Sequence, residues 1–100
     1  MKQTRTMKHL DESERQYDIA FLQTNGFSEK QIIEIQAGLK LGLDVSVYAD
    51  KKYDPDQMYQ VRRGLEEGVD VSIYLNPQYP FNRMSDIRNR LYARKNRERS

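Results

Sequence analysis

The stretch FSEKQIIEIQAGLKLGLDVSVYADKK, residues 27–52, is followed without a gap by YDPDQMYQVRRGLEEGVDVSIYLNPQ, residues 53–78. A shift of 26 positions pairs Gln31 with Gln57, Gly38 with Gly64, Leu39 with Leu65 and Gly42 with Gly68. It lays Asp44-Val45-Ser46-Val47-Tyr48 over Asp70-Val71-Ser72-Ile73-Tyr74. Self-similarity at one fixed period marks units that cannot bury an apolar side alone and do so by stacking on their neighbours. The same offset enters a third, truncated unit, in which Tyr79 follows Tyr53, Met84 follows Met58, Ile87 follows Val61 and Leu91 follows Leu65. Upstream it sets Ile19 under Val45 and little else, so residues 11–26 read as a cap with a polar outer face rather than as a further unit.

Each unit opens on a helix-start signal. Ser28 with Gln31, and Asp54 with Gln57 and Pro55 between them, have the spacing of capping boxes, in which two side chains satisfy two otherwise orphaned backbone N–H groups. Apolar residues then recur at Ile32, Ile35 and Leu39, at Met58, Val61 and Leu65, and at Met84, Ile87 and Leu91, the i, i+3, i+7 spacing of one helical face. Those three rows are the expected core. Gly42 and Gly68 stand where each helix should stop, in the left-handed conformation that glycine adopts without steric cost. Gly38 and Gly64 lie one turn earlier, inside the helix, where glycine costs about 1 kcal/mol relative to alanine. Their recurrence points to another backbone packed closely against them. Asp11 with Glu14 predicts a first helix, which draws apolar contacts from Tyr17, Phe21, Ile19 and Leu22 and closes at Asn25-Gly26.

The segment after each helix admits two readings. Leu43, Val45, Val47 and Val69, Val71, Ile73 alternate with polar residues as a strand would. Against this, Asp44 and Asp70 are good N-caps, and Val45, Tyr48, Ala49 and Val71, Tyr74, Leu75 share one side of a single helical turn. The expected class is therefore all-α: small stacked helical repeats at this fixed period, with an N-terminal capping helix and a basic C-terminal helix. The alternative is an α/β chain with short strands at 43–48 and 69–75. Residues 1–10 are expected to be disordered. Residues 11–97 form one repeat domain (units 27–52 and 53–78, partial unit 79–97), and 98–100 are a frayed tail.

At these residues the chain resembles a short tandem repeat of bacterial proteins, mostly uncharacterised and often carried by mobile elements of Firmicutes, with units of the form QMxEIRxGLExGLDVSxYAxPxF. The matching stretches are Gln31 to Leu39 with Gly42 to Ala49, then Gln57 to Glu66 with Gly68 to Tyr74, and the likeness covers roughly residues 27–91. It implies an accessory protein in a bacterial or phage setting and carries no catalytic residue or cofactor. The third unit departs from the pattern, with Arg90 and Arg94 at the two glycine positions, which suits a terminal cap bearing basic charge.

The bulk composition narrows the function classes. One hundred residues, 37% of them hydrophobic, suffice for one small core. The mean hydropathy of −0.95 is low, but the apolar residues are regularly spaced rather than depleted. Without cysteine there is neither a disulfide nor a thiolate metal site. The apolar runs are too short to span a membrane, and residues 1–10 lack the apolar stretch of a secretory signal, so a cytoplasmic protein without membrane attachment is expected. His9 is the single histidine, so one chain cannot assemble a histidine triad or a His-rich metal cluster. Asp44, Asp54 and Asp70 are accounted for as caps, and Asp50, Asp56, Glu66 and Glu67 read as solvated. Neither an enzyme nor a cofactor is expected.

Two sets of residues remain as candidate contacts. Seven of the 17 basic residues but only two of the 15 acidic ones fall in 81–100. On a helix, Arg83, Arg90, Arg94 and Arg97 can line one side, and with Arg88, Lys95 and Arg99 they are candidates for nucleic acid or an acidic partner. The seven tyrosines are the second set. Tyr48 and Tyr74, like Tyr53 and Tyr79, recur at equivalent positions and are expected to pack between units with their hydroxyls at the surface. Tyr59 and Tyr92 are candidates for a protein interface. The leading functional expectation is a non-enzymatic protein-interaction module. A nucleic-acid-binding accessory factor acting through the basic C-terminal helix is the alternative, and homo-oligomerisation is a further candidate association.

Overall fold

The computed structural model describes residues 17–99, with the side chain of Arg99 left aside. Among the described residues there are four α-helices and two 3-10 turns, and no strand. The helices are α1 (Ile19–Thr24), α2 (Glu29–Lys40), α3 (Pro55–Glu67) and α4 (Phe81–Arg99), and the turns are Val45–Val47 and Val71–Ile73. The class is all-α, and the strands considered for 43–48 and 69–75 do not form. Disorder at 1–10 and the Asp11–Glu14 cap lie outside the described residues.

Successive helices pack side by side, α1 on α2, α2 on α3 and α3 on α4, and each 3-10 turn folds back onto the helix before it. Both capping boxes form. Ser28 Oγ accepts from the Gln31 N–H at 3.1 Å while Gln31 Oε1 accepts from the Ser28 N–H at 2.8 Å. Asp54 and Gln57 repeat the exchange at 2.8 Å in both directions. At the other end, Gly42 and Gly68 take φ of 74° and 75°. The N–H of Gly68 reaches the Leu65 carbonyl at 3.2 Å and that of Val69 the Gly64 carbonyl at 3.1 Å. Gly42 and Leu43 do the same toward Leu39 and Gly38. This paired closure satisfies carbonyls that a helix end otherwise leaves open.

The 3-10 turns explain why the β-branched alternation misleads. Asp44 Oδ1 accepts from the backbone N–H and the hydroxyl of Ser46, and Asp70 does so from Ser72, which locks a tight turn instead of an extended chain. Val45 and Val71 point inward, whereas Val47 is half-buried and Ile73 exposed, so the alternation does not define two sheet faces.

Ile32, Ile35, Met58, Val61 and Met84 are buried, and Leu39, Leu65, Ile87 and Leu91 pack half-buried against them. Tyr48 and Tyr74 are wholly enclosed, which corrects the expectation of surface hydroxyls. Tyr48 Oη donates to the Glu34 carbonyl at 2.7 Å and Tyr74 Oη to the Gln60 carbonyl at 2.6 Å, each in the helix of its own unit. The ring lies over the internal glycine. A Cβ on Gly38 would collide with the Tyr48 hydroxyl and approach Val45 Cγ1 to 2.7 Å, and one on Gly64 would meet Tyr74 and come within 2.6 Å of Val71 Cγ1. The close packing expected at these glycines is thus real, but a tyrosine and a valine side chain fill the notch rather than a backbone.

In the first segment, α1 closes at Asn25-Gly26 as expected. It is capped by Asp18, whose carboxylate accepts from the Phe21 N–H at 2.8 Å, and of the expected contacts Leu22 is buried while Ile19 and Phe21 are exposed. Asp18, Ile19 and Leu22 stand one repeat period before Asp44, Val45 and Tyr48, but Ile19 is exposed where Val45 is buried, and α1 packs on the helix that follows it.

Candidate interaction surfaces

Polar links between units recur at the same offset. Gln31 Nε2 donates to the Tyr53 carbonyl at 2.7 Å and the Lys51 carbonyl at 3.4 Å. Gln57 Nε2 donates to the Tyr79 carbonyl at 2.8 Å and that of Pro77 at 2.9 Å. Each glutamine therefore closes its own capping box and ties down the chain entering the next helix.

A second link is ionic. Arg62 on α3 donates through Nε to Glu34 on α2 at 2.8 Å and also pairs with Glu66. One unit later, Arg88 on α4 donates through Nε to Gln60 Oε1 at 3.0 Å and through Nη1 to Glu67 at 2.7 Å. Arg63 holds Glu66 and Glu67 from the same helix. Burial by itself would lower the Arg62 pKa, but hydrogen bonding and charge from Glu34 and Glu66 outweigh it and raise the value. Glu66 and Glu67 are therefore members of an inter-helix network, not solvated carboxylates.

That network removes Arg88 from the contact set. Its side chain is 11% exposed, with Nε and Nη1 engaged by Gln60 and Glu67, so it is turned into the stack and away from the exposed arginine row. Lys95 is half-buried against Gly68, where a Cβ would lie 3.3 Å from its Cε. The side chain of Arg99 lies outside the described residues. Arg83, Arg90, Arg94 and Arg97 are all exposed. Their spacings of seven, four and three place them within about 60° of arc on α4 at about 100° per residue. Arg83 stacks over the Tyr79 ring at 4.7 Å. Arg90 pairs with Asp86 at 3.0 Å, with the two side chains 77% and 60% exposed, a solvated pair of small energy.

The apolar surface lies elsewhere. Ile33 and Tyr59, one repeat period apart and therefore on equivalent sides of α2 and α3, are exposed. Ser85 continues that register on α4, and exposed Tyr92 is two turns on, in the same stripe, so Tyr59 and Tyr92 belong to one side of the stack. The Arg62 guanidinium lies 5.2 Å from the Tyr59 ring centroid. Beside Ile33 runs an open groove of about 620 Å³, lined by Ile19, Gln23 and Phe27 on one side and Glu29, Ile32 and Ile33 on the other. The sequence marks Tyr59 and Tyr92 but not Ile33 or the groove, because the groove arises from the packing of α1 against α2, which no local spacing reveals.

Among the described residues no three His, Cys, Asp or Glu side chains come together as a metal-ligand set, and no helix is long and apolar enough to cross a membrane. Burial pushes the Tyr48 and Tyr74 phenols well above the ordinary tyrosine value, so both remain neutral hydrogen-bond donors. Comparison with protein-family models, with curated proteins and with solved structures gives no match.

Proposed function

We propose that this protein is a non-enzymatic interaction module that docks another protein on the face bearing Ile33, Tyr59 and Tyr92, with the α1–α2 groove receiving an apolar side chain of the partner. The observation that supports this reading is the alignment of large exposed apolar and aromatic side chains on one side of three successive helices. Stacked repeats build extended contact surfaces, and aromatic side chains are favoured anchors because they bury much area while losing few rotamers. The Arg62 guanidinium over Tyr59 limits the freedom of that ring before binding. The resemblance of the repeat units supports reading the module as an accessory protein of a bacterial mobile element or phage, and the short apolar runs of the chain support a cytoplasmic setting.

The test compares affinity capture from a bacterial host lysate by the unaltered chain and by the variant I33S/Y59S/Y92S. A protein held stoichiometrically by the first and lost by the second, with identical far-ultraviolet circular dichroism, is the expected outcome. Failure of the folded, unaltered chain to retain any protein stoichiometrically, or equal retention by both, refutes the proposal.

A further inference from the structure

The basic flank of α4 is a separate surface with its own chemistry. On α3 the corresponding flank is covered: Gly64 receives Tyr74, Gly68 closes the helix, and Val71 folds back onto it. One unit later these three positions are Arg90, Arg94 and Arg97, and Gln57 is replaced by Arg83. Arginine at the notch cannot admit a tyrosine ring, and without a C-capping glycine the helix runs on. α3 stops at Glu67, whereas α4 continues past the equivalent Ala93 to Arg99. The substitutions thus do two things at once. They uncover a helix flank and fill it with cations.

The remaining arginines of the described stack are engaged with carboxylates of α2 and α3, but Arg94 and Arg97 have no ion-pair partner among the described residues. The four exposed arginines extend along about 21 Å of helix at about 1.5 Å per residue. Past Asp86, whose carboxylate is paired with Arg90, runs a row of exposed amides, Asn82, Asn89 and Asn96, at intervals of seven. Successive sevens drift by about 20° on a helix, so this row stays on one stripe, about a third of a turn from the arginines. An acidic protein surface engages the arginine row and gives the regular spacing of the amides no separate role. A cationic row beside an amide row matches duplex DNA, where phosphates form the wall of the major groove and base edges with paired donors and acceptors form its floor. Asparagine reads such edges, and the groove, about 12 Å wide, accepts an α-helix.

We infer that α4 binds the major groove of double-stranded DNA, with Arg83, Arg90, Arg94 and Arg97 on phosphates and the Asn82, Asn89, Asn96 row toward the base edges. This surface is distinct from the face bearing Tyr59 and Tyr92, and either can fail without the other.

Fluorescence anisotropy with a labelled 20-base-pair DNA duplex tests the assignment on the full chain. Four phosphate contacts predict a slope of log K against log salt of about −3.5, so raising salt from about 50 to about 200 mM should weaken binding about 100-fold. The variant R90Q/R94Q/R97Q should flatten the slope to about −1. The control K30Q/K51Q/K52Q removes the same charge from exposed positions elsewhere and should keep the steep slope. N82A/N89A/N96A should hold the slope but bind at least about tenfold more weakly. An RNA duplex of the same sequence should bind at least about tenfold more weakly, because its deep, narrow major groove excludes a helix. The inference is overturned by absence of binding at low salt, by an equal slope change in the lysine control, by unchanged affinity of the asparagine variant or the RNA duplex, or by displacement of DNA with polyglutamate at equal charge. Circular dichroism of each variant verifies that the helices are intact.

Discussion

Replacing Gly64 by alanine inverts the usual consequence of putting alanine into a helix. In an unobstructed helix the change stabilises by about 1 kcal/mol, since glycine carries the larger backbone entropy cost. Here the new methyl would sit 2.6 Å from Val71 Cγ1 and collide with the Tyr74 hydroxyl, both buried. Overpacking of a filled core costs about 1–3 kcal/mol. If the ring is pushed aside, the phenol loses the Gln60 carbonyl, its acceptor at 2.6 Å. A buried donor without a partner adds about 1–3 kcal/mol. The gain in helix propensity offsets only part of this, leaving a net loss of about 1–5 kcal/mol. Urea unfolding followed by circular dichroism measures it. The double variant Gly64→Ala/Tyr74→Phe should recover part of the loss relative to the sum of the single changes, because deleting the hydroxyl removes the worst clash. A Gly64→Ala protein as stable as the parent, or purely additive single changes, would refute the notch as the reason for this glycine.

Three further outcomes are expected. Stability to urea should fall above about pH 10. Burial holds the Tyr48 and Tyr74 pKa values above the unfolded value of 10.0, so the folded state keeps protons that the unfolded chain releases. Their contribution is complete below about pH 10 and is lost as pH rises toward the folded values, by up to about 1.4 kcal/mol per pH unit for each tyrosine; urea midpoints unchanged between pH 9 and 11 would contradict it. Arg88→Met should destabilise by about 3 kcal/mol by leaving Glu67 without its inter-helix partner, whereas Glu34→Gln, which copies Gln60, should cost less than about 1 kcal/mol; equal urea midpoints for the two variants would disprove the distinction. Deleting residues 53–78 joins Lys52 to Tyr79 in register, so that Gln31 meets the Tyr79 carbonyl and Glu34 meets Arg88; the shortened chain should stay helical and melt cooperatively at lower temperature, and a broad, non-cooperative melt would count against interchangeable units.

Much of the helical framework can be read from the chain because it depends on short-range rules. The Ser28–Gln31 and Asp54–Gln57 boxes, the closing glycines 42 and 68 and the three aliphatic rows each involve residues within two turns of one another. Contacts between units are harder to read. Nothing local separates Arg88 from Arg90, for both stand in a run of cations. What distinguishes them is the acceptor one helix back: Gln60 precedes Arg88 by the same separation as Glu34 precedes Arg62. That pairing is visible only when acceptors and donors are compared across the period. The tyrosine hydroxyls escape sequence reasoning for a similar reason. A phenol is commonly left at the surface, and its inward direction follows only from setting Tyr48 and Tyr74 against Gly38 and Gly64 in the preceding helix. The strand-like alternation at Val45 and Val47 misleads because two aspartates, 44 and 70, close a turn before an extended backbone can pair.

The glutamine and arginine links between units also bear on how such a chain can change length. A new copy of the unit can be accommodated wherever a helix bearing the glutamine and the arginine acceptor is followed by a helix bearing the matching arginine, that is, between existing copies. A duplicated unit that enters between existing copies therefore keeps every one of these contacts, so the length of the array can change in its interior without loss of fit.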